Sequence, residues 1–317
     1  MLTSLRDKLP VRWHTRLFPI FDFARGSCER LHRTVDRRTL SKSHFINLLQ
    51  ELGFNPGATV MVHSSFSHIR RRVPQMSPSM LIALLQDQIG PEGTLLMPTF
   101  PFHGSQGEYA DKFPRFDVQK TPSKVGILTE VFRQTQGVVR SKHPTHSVAA
   151  WGRHANEIVS THHLGPTFGV TSPFYRLREF DGIVVGLGTR YRYAFTIGHV
   201  IEELHPPLRQ HDFEKRLRTM IIVDGRAEIP YQLRVLRPDL TREFHRLTRI
   251  LRKDRVLRYV TAAGLPCAVV KADTFIRRSM QLAEENRYIV RIPAHWTPEM
   301  NTSDFESLIS KSKTSEP

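Results

Sequence analysis

Three short apolar runs of β character, Thr59-Val60-Met61-Val62, Thr94-Leu95-Leu96-Met97 and Ile183-Val184-Val185-Gly186-Leu187, are separated by stretches of helical periodicity. No other feature constrains the fold as much. Ser41 stands at the N-cap of a predicted helix whose apolar residues Phe45, Ile46, Leu48, Leu49 and Leu52 recur at helical spacing, with Gly53 as its terminator. Ser77 followed by Pro78 predicts a second helix, running to Ile89 before Gly90. Ser123 predicts the cap of a third, near residues 124–133. Strands alternating with helices in this way build an α/β layered domain. Further on, the pattern predicts a β-pair, 220–223 with 228–235, turned at Asp224-Gly225, and then a basic helix over 240–253.

The regular signals begin at residue 41, so residues 1–40 read as a basic N-terminal extension, 41–295 as the α/β domain and 296–317 as a tail. The 317-residue chain is 39% hydrophobic, which suffices to bury a core. Its two cysteines, Cys28 and Cys267, exclude a disulfide framework and a four-cysteine zinc module, and a reducing cytoplasm is the expected setting. No apolar run reaches the roughly 18 residues of a membrane span. The first apolar cluster, broken by Pro19, does not read as a secretory signal. A net charge of +16 leaves nucleic acid, an anionic membrane surface or an acidic small molecule as partner classes. Nine Lys/Arg and four Asp/Glu in residues 1–40 fit either a helical extension with solvated arginines or a segment resting on anionic lipid.

Several motifs carry chemistry. Gly186-Leu187-Gly188 after a strand suggests a dinucleotide fingerprint, but Tyr191 occupies the third glycine position, and a plain glycine turn is the simpler explanation. His143, His146, His162 and His163 lack a zinc-protease pattern, and no metal site is expected. No G-x-S-x-G elbow is present. His199 and Glu202 stand three apart on a predicted helix, so they share a face. A carboxylate beside an imidazole orients it as a general base, although by spacing alone a surface ion pair is the plainer reading. Ser64, Ser65 and Ser67 follow a strand, where hydroxyls and backbone N–H groups can hold phosphate oxygens. Arg70-Arg71-Arg72 comes next, either a solvated face or a set of guanidiniums suited to polyphosphate.

Taken in order, several segments resemble the aminoglycoside 3-N-acetyltransferase family, which moves acetyl groups from acetyl-CoA to amino sugars. They are Val62-His63-Ser64-Ser65-Phe66-Ser67, then Gly90-Pro91-Glu92-Gly93-Thr94 through Phe100, then Phe116-Asp117 with Thr121-Pro122-Ser123 and Gly126. Arg140-Ser141-Lys142-His143-Pro144-Thr145-His146-Ser147-Val148, Phe168-Gly169 with Ser172-Pro173, and Thr196-Ile197-Gly198-His199-Val200-Ile201-Glu202 complete the match.

The resemblance implies a three-layer α/β/α fold with a mixed central sheet, acetyl-CoA as acetyl donor in a cleft, and no metal. It implies that His199 and Glu202 are the catalytic pair, and it places His63, Ser64, Ser65, His143, His146 and Ser147 at the cofactor cleft. Two departures stand out. Arg70-Arg71-Arg72-Val73-Pro74 replaces a loop that is glycine-rich in family members, leaving open how the phosphates are held. Residues 209–258 carry fourteen Lys/Arg against seven Asp/Glu, an unfavourable balance for attracting polycationic aminoglycosides.

The expectation is a cytoplasmic, acetyl-CoA-dependent N-acetyltransferase whose acceptor is an amino sugar on an anionic carrier or glycan. His199, oriented by Glu202, serves as base in direct transfer, and hydroxyl or backbone donors stabilise the oxyanion. The rival is a non-enzymatic basic module for nucleic acid or anionic membrane on the same scaffold. No nucleic-acid motif supports it. Acceptor identity, regiochemistry and oligomeric state are not legible.

Overall fold

The computed structural model describes residues 38–189, 196–288 and 290–293 of the chain. The expected extension over 1–40, apart from residues 38–40, and the expected tail over 296–317 lie outside the described residues. The strands of the unit formed by residues 38–291 are β1 (Thr59–Ser64), β2 (Thr94–Pro98), β3 (Arg115–Asp117), β4 (Val139–Arg140), β5 (Val148–Gly152), β6 (Ile183–Leu187), β7 (Phe213–Asp224), β8 (Ala227–Leu236), β9 (Leu240–Glu243), β10 (Arg258–Ala262) and β11 (Leu265–Lys271). Its helices are α1 (Lys42–Glu51), α2 (Phe66–Arg72), α3 (Pro78–Ile89), α4 (Gln106–Lys112), α5 (Ile127–Arg133), α6 (Ala155–Val159), α7 (Pro173–Arg176), α8 (Gly198–Leu204), α9 (Pro206–Asp212), α10 (His245–Lys253) and α11 (Ala272–Glu284).

The main sheet has the order β10-β11-β6-β1-β2-β5-β4. β1 lies between β2 and β6 and is parallel to both, while β5, β4, β11 and β10 extend the sheet antiparallel, so the sheet is mixed. Strand side chains alternate between faces, which explains the layering. Val60, Val62, Leu95, Met97, Val185 and Leu187 pack on one face against Phe45 and Leu49 of α1, Leu81 and Leu85 of α3, and Phe132 of α5. Met61, Leu96 and Val184 pack on the other against Ile158 of α6, Val200 of α8, Leu251 of α10 and Phe275 of α11. The result is the expected α/β/α arrangement. Leu95 and Leu96 are fully buried, and truncating either to Ala would cost about 2–5 kcal/mol.

Local signals set most helix starts. Ser41 accepts from the His44 N–H at 3.2 Å and Ser77 from the Met80 N–H at 3.1 Å, as their positions predict. Two expectations are corrected. The helix placed near 124–133 begins only at Ile127, with Gly126 at its N-cap (φ 132°) in a conformation favouring glycine. Ser123 instead donates its N–H to Glu130 Oε2 (2.6 Å) and bonds Thr129 through its hydroxyl (2.8 Å), tying the preceding loop to that helix. The basic helix placed over 240–253 starts at His245, because Leu240–Glu243, with β-branched Thr241, forms a strand.

The β-pair is longer than its apolar residues suggest. β7 and β8 pair antiparallel from Phe213 to Leu236, and β3 adds in parallel to β7. Phe116, Met220, Ile222, Tyr231, Leu233 and Val235 form the separate core of this small sheet.

Candidate functional site

β1 and β6 run parallel and end side by side, the place where parallel sheets open a crevice for ligands. The chain leaving β1 stays bound to the β6 end: the Ser65 N–H donates to Leu187 O at 3.0 Å, and His68 Nδ1 donates to Gly188 O at 2.8 Å. Gly188 (φ +73°) is held 3.0 Å from Ser65 O at the point where a Cβ would sit, so glycine is required by close approach. This is the role of the Gly186-Leu187-Gly188 turn here.

Beside this junction lies a cleft of about 730 Å³, lined by Ser64, Ser65, Phe66, Ser67, Arg70 and Arg71, with Gly126 and Ile127 also on its wall. His63, one residue earlier, is driven by desolvation to a pKa of about 3. The three arginines part company on α2. Ile69, Arg72 and Val73 stand at i, i+3 and i+4 on the buried face, with Arg72 only 7% exposed and its Nη1 donating to Arg38 O at 2.9 Å. Ser67, Arg70 and Arg71 stand at the same spacing on the cleft face.

The segment from Arg140 to Val148 forms a second cluster, and most of its polar groups are committed to the fold. The Arg140 guanidinium donates to Thr99 O (2.7 Å), Thr121 O (2.5 Å), Thr99 Oγ1 and Ser147 Oγ (both 3.1 Å), and lies 4.8 Å from the centre of the Phe116 ring. Burial and the nearby Arg133 charge lower its pKa to about 9. Ser147, fully buried, also donates to Thr99 O at 2.9 Å and so fastens the end of β2 to the start of β5.

His143 is fully buried. Two backbone N–H groups, of Thr145 (3.3 Å) and His146 (3.0 Å), donate to its Nδ1. The proton therefore sits on Nε2, which donates to Tyr231 Oη at 3.0 Å, and that hydroxyl donates to Gly165 O at 2.9 Å. His162 Nε2 donates to Thr167 O at 3.0 Å, and its Nδ1 accepts from Ser141 Oγ at 2.9 Å. Both rings are neutral, desolvation being the main cause.

His146 is different. Gln106 Oε1 accepts from the Leu236 N–H (3.2 Å), which turns its amide nitrogen toward Thr145 Oγ1 (3.0 Å) and His146 Nδ1 (3.5 Å). Thr145 Oγ1 is also 3.1 Å from His146 Nδ1. The arrangement makes Nδ1 an acceptor and leaves the proton of a neutral ring on Nε2. The rings of Phe100, Phe102 and Phe168 surround the imidazole at centroid distances of 4.5, 5.5 and 4.8 Å. Burial holds its pKa well below the usual histidine range, and the nearby His199 lowers it further.

His199 and Glu202 lie on α8, whose first carbonyl, Gly198 O, accepts from Tyr288 Oη at 2.7 Å. His199 Nδ1 is 2.9 Å from Glu202 Oε2, and the side chains are 24% and 1% exposed. One turn of helix thus joins a buried carboxylate to an accessible imidazole. Phe168 contacts this ring too, with centroids 4.9 Å apart, so a single phenyl ring links His199 to His146. Glu203 is also buried, and desolvation raises its pKa.

Ser64 and Ser65 therefore line the cleft, His146 lies with the His199–Glu202 pair, and His143 and Ser147 lie in the interior. Gln106, 40 residues from His146, carried no sequence signal. Arg70 and Arg71 stand in sequence within a run of three arginines read as a solvated face or as guanidiniums for polyphosphate, with nothing there to separate them from Arg72. Among the described residues, no group of three His, Cys, Asp or Glu side chains comes together to hold a metal ion, and no helix is long and apolar enough to cross a membrane.

The sequence model of the aminoglycoside 3-N-acetyltransferase family matches residues 61–284. The chain is 35% identical to aminoglycoside N(3)-acetyltransferase IV of Salmonella sp over 161 residues, covering 51% of this chain and 58% of that protein. It is 31% identical to the SPbeta prophage-derived aminoglycoside N(3')-acetyltransferase-like protein YokD of Bacillus subtilis (strain 168) over 159 residues, covering 45% and 58%. The chain thus spans less than two thirds of the length of these curated relatives. Among solved structures, AAC-IIIb in binary complex with CoASH superposes with a TM-score of 0.63 at 21% identity, covering 78% of this chain and 97% of that one. Aminoglycoside acetyltransferase AAC(3)-Xa superposes with a TM-score of 0.65 at 23% identity, covering 83% and 98%. At these identities the superpositions speak for the fold.

Proposed function

Because the chain belongs to the aminoglycoside 3-N-acetyltransferase family, we propose that it is an acetyl-CoA-dependent N-acetyltransferase acting on the amino group of an amino sugar. The observation that carries this reading is the His199–Glu202 contact on α8, joined through Phe168 to His146. A scaffold that served only as a basic binding module would have no use for a buried carboxylate aimed at an imidazole.

Acetyl-CoA is a substrate here and supplies the activated thioester carbonyl. The cleft at the β1–β6 junction fits it in chemistry, since hydroxyls and two guanidiniums suit a long polyanionic ligand. Glu202 fixes the orientation of the His199 ring and stabilises its positive charge. His199 Nε2 takes a proton from the acceptor amine as its nitrogen bonds to the acetyl carbon. The carbon–sulfur bond breaks, and the proton passes to the departing thiolate, giving CoA thiol and the amide. His146 Nε2–H is a donor for the carbonyl oxygen that gains charge, alongside the hydroxyl or backbone donors expected from sequence. A neutral, fixed donor walled by three phenyl rings suits that task, because low dielectric strengthens the hydrogen bond. His143 and Ser147 hold the segment that carries His146.

The acceptor carries phosphate or carboxylate in preference to several amines. The net charge of +16 and the basic excess over residues 209–258 support that preference. The test is thiol release from acetyl-CoA with a panel of free, nucleotide-linked and aminoglycoside amino sugars. Release with any of them supports the enzyme reading; absence of CoA binding at millimolar concentration overturns it.

A further inference from the structure

We propose that Arg70 and Arg71 are the phosphate-recognition element of the donor cleft. This rests on reading that cleft as the acetyl-CoA site. The run Arg70-Arg71-Arg72 looks like one basic patch in sequence, but α2 divides it. Helical spacing buries Arg72 with Ile69 and Val73. It leaves Arg70 and Arg71 exposed, one turn after Ser67, on the wall of a cleft about 730 Å³ in volume. No carboxylate lines this cleft among the described residues, so nothing on its wall neutralises the two guanidiniums.

Two adjacent, planar, permanently charged forks present more N–H donors than the neighbouring serines can use, and they match the oxygen geometry of phosphate. The donor molecule carries a pyrophosphate and a 3′-phosphate at the end remote from its thioester. Guanidiniums on α2 can hold that end without entering the chemistry. Because Arg72 donates to Arg38 O, its charge anchors the chain before α1, and its loss affects the fold rather than the ligand. The three arginines thus have two separable roles.

Calorimetric titration of the full chain with CoA, 3′-dephospho-CoA and pantetheine tests this. Arg70→Ala and Arg71→Ala should each weaken CoA binding roughly tenfold, and the double variant more. The loss should vanish with pantetheine, which has no phosphate. With 3′-dephospho-CoA, a persisting loss assigns the arginines to the pyrophosphate and a vanished one to the 3′-phosphate; both support the proposal. Wild-type affinity for CoA should also fall with added salt more steeply than that of the double variant. Arg72→Ala should lower Tm while leaving the affinity of the folded protein for CoA within about twofold. CoA binding by the double variant equal to wild type, or an equal loss for CoA and pantetheine, overturns the proposal. Failure of the wild type to bind CoA at all would instead overturn the donor-site reading.

Discussion

The imidazoles of His143 and His162 stack with centroids 4.3 Å apart, and the hydrogen bonds around them leave no place for a second proton on either ring. Their pKa values lie below the unfolded value of about 6.5, that of His162 at about 3, because burial disfavours the charged form. The unfolded chain therefore binds more protons between these values. Stability is greatest well above pH 6.5 and is lost as pH falls toward 3, by about 1 kcal/mol per buried histidine over the first unit below 6.5. Thermal melts from pH 8 to 5 should show Tm falling below pH 6.5. His162→Gln, which removes the titration, should shallow that slope, and an unchanged slope would contradict the assignment.

His199→Ala should lower kcat by about 10²–10⁴-fold while leaving the Kd for acetyl-CoA close to wild type, since the imidazole moves a proton and does not hold the donor. Glu202→Gln should lose less, because it orients the ring. Steady-state kinetics with a saturating acceptor, paired with calorimetry, separates the two effects. A wild-type rate in His199→Ala would remove it from the role of base.

Loss of the His146 donor should cost about 10²–10³-fold in kcat. His146→Ala should show that loss, and His146→Asn, which can still present an N–H, should recover part of it. Thr145→Val should be intermediate, since Gln106 can still restrain Nδ1. Circular dichroism of each variant checks that the fold survives. Equal rates for the Ala and Asn variants would leave His146 a packing residue only.

Steady-state kinetics should give an acceptor bearing phosphate or carboxylate a higher kcat/KM than a polycationic aminoglycoside. The advantage should shrink from low to physiological ionic strength as the Debye length falls to about 8 Å. Preference for the aminoglycoside, or a preference indifferent to salt, would mean that the basic surface serves another purpose.

Features contained within one turn of helix or one strand were legible in the sequence. Ser41 and Ser77 cap their helices because an N-cap hydroxyl needs only the N–H three residues on. His199 meets Glu202 because i,i+3 neighbours share a helical face whatever the rest of the chain does. Val60, Met61 and Val62 were legible as a strand from their uninterrupted apolar, β-favouring run, and because a strand reverses its side chains at every residue they enter the cores on both faces.

What joins distant segments was decided by tertiary structure alone. Three histidines of similar appearance, His143, His146 and His162, acquire different roles only when the sheet order brings Tyr231, Gln106 and Ser141 respectively to their ring nitrogens. Arg72 is separated from Arg70 and Arg71 by which face of α2 meets the core, a choice invisible in a run of identical charges. The chain lengths between such partners, 88 residues for His143 and Tyr231 and 40 for Gln106 and His146, far exceed the reach of any local periodicity. Backbone geometry dictates neighbours only within about four residues along a helix. Beyond that, contacts follow from burying both faces of one sheet at once, a condition that no single segment contains.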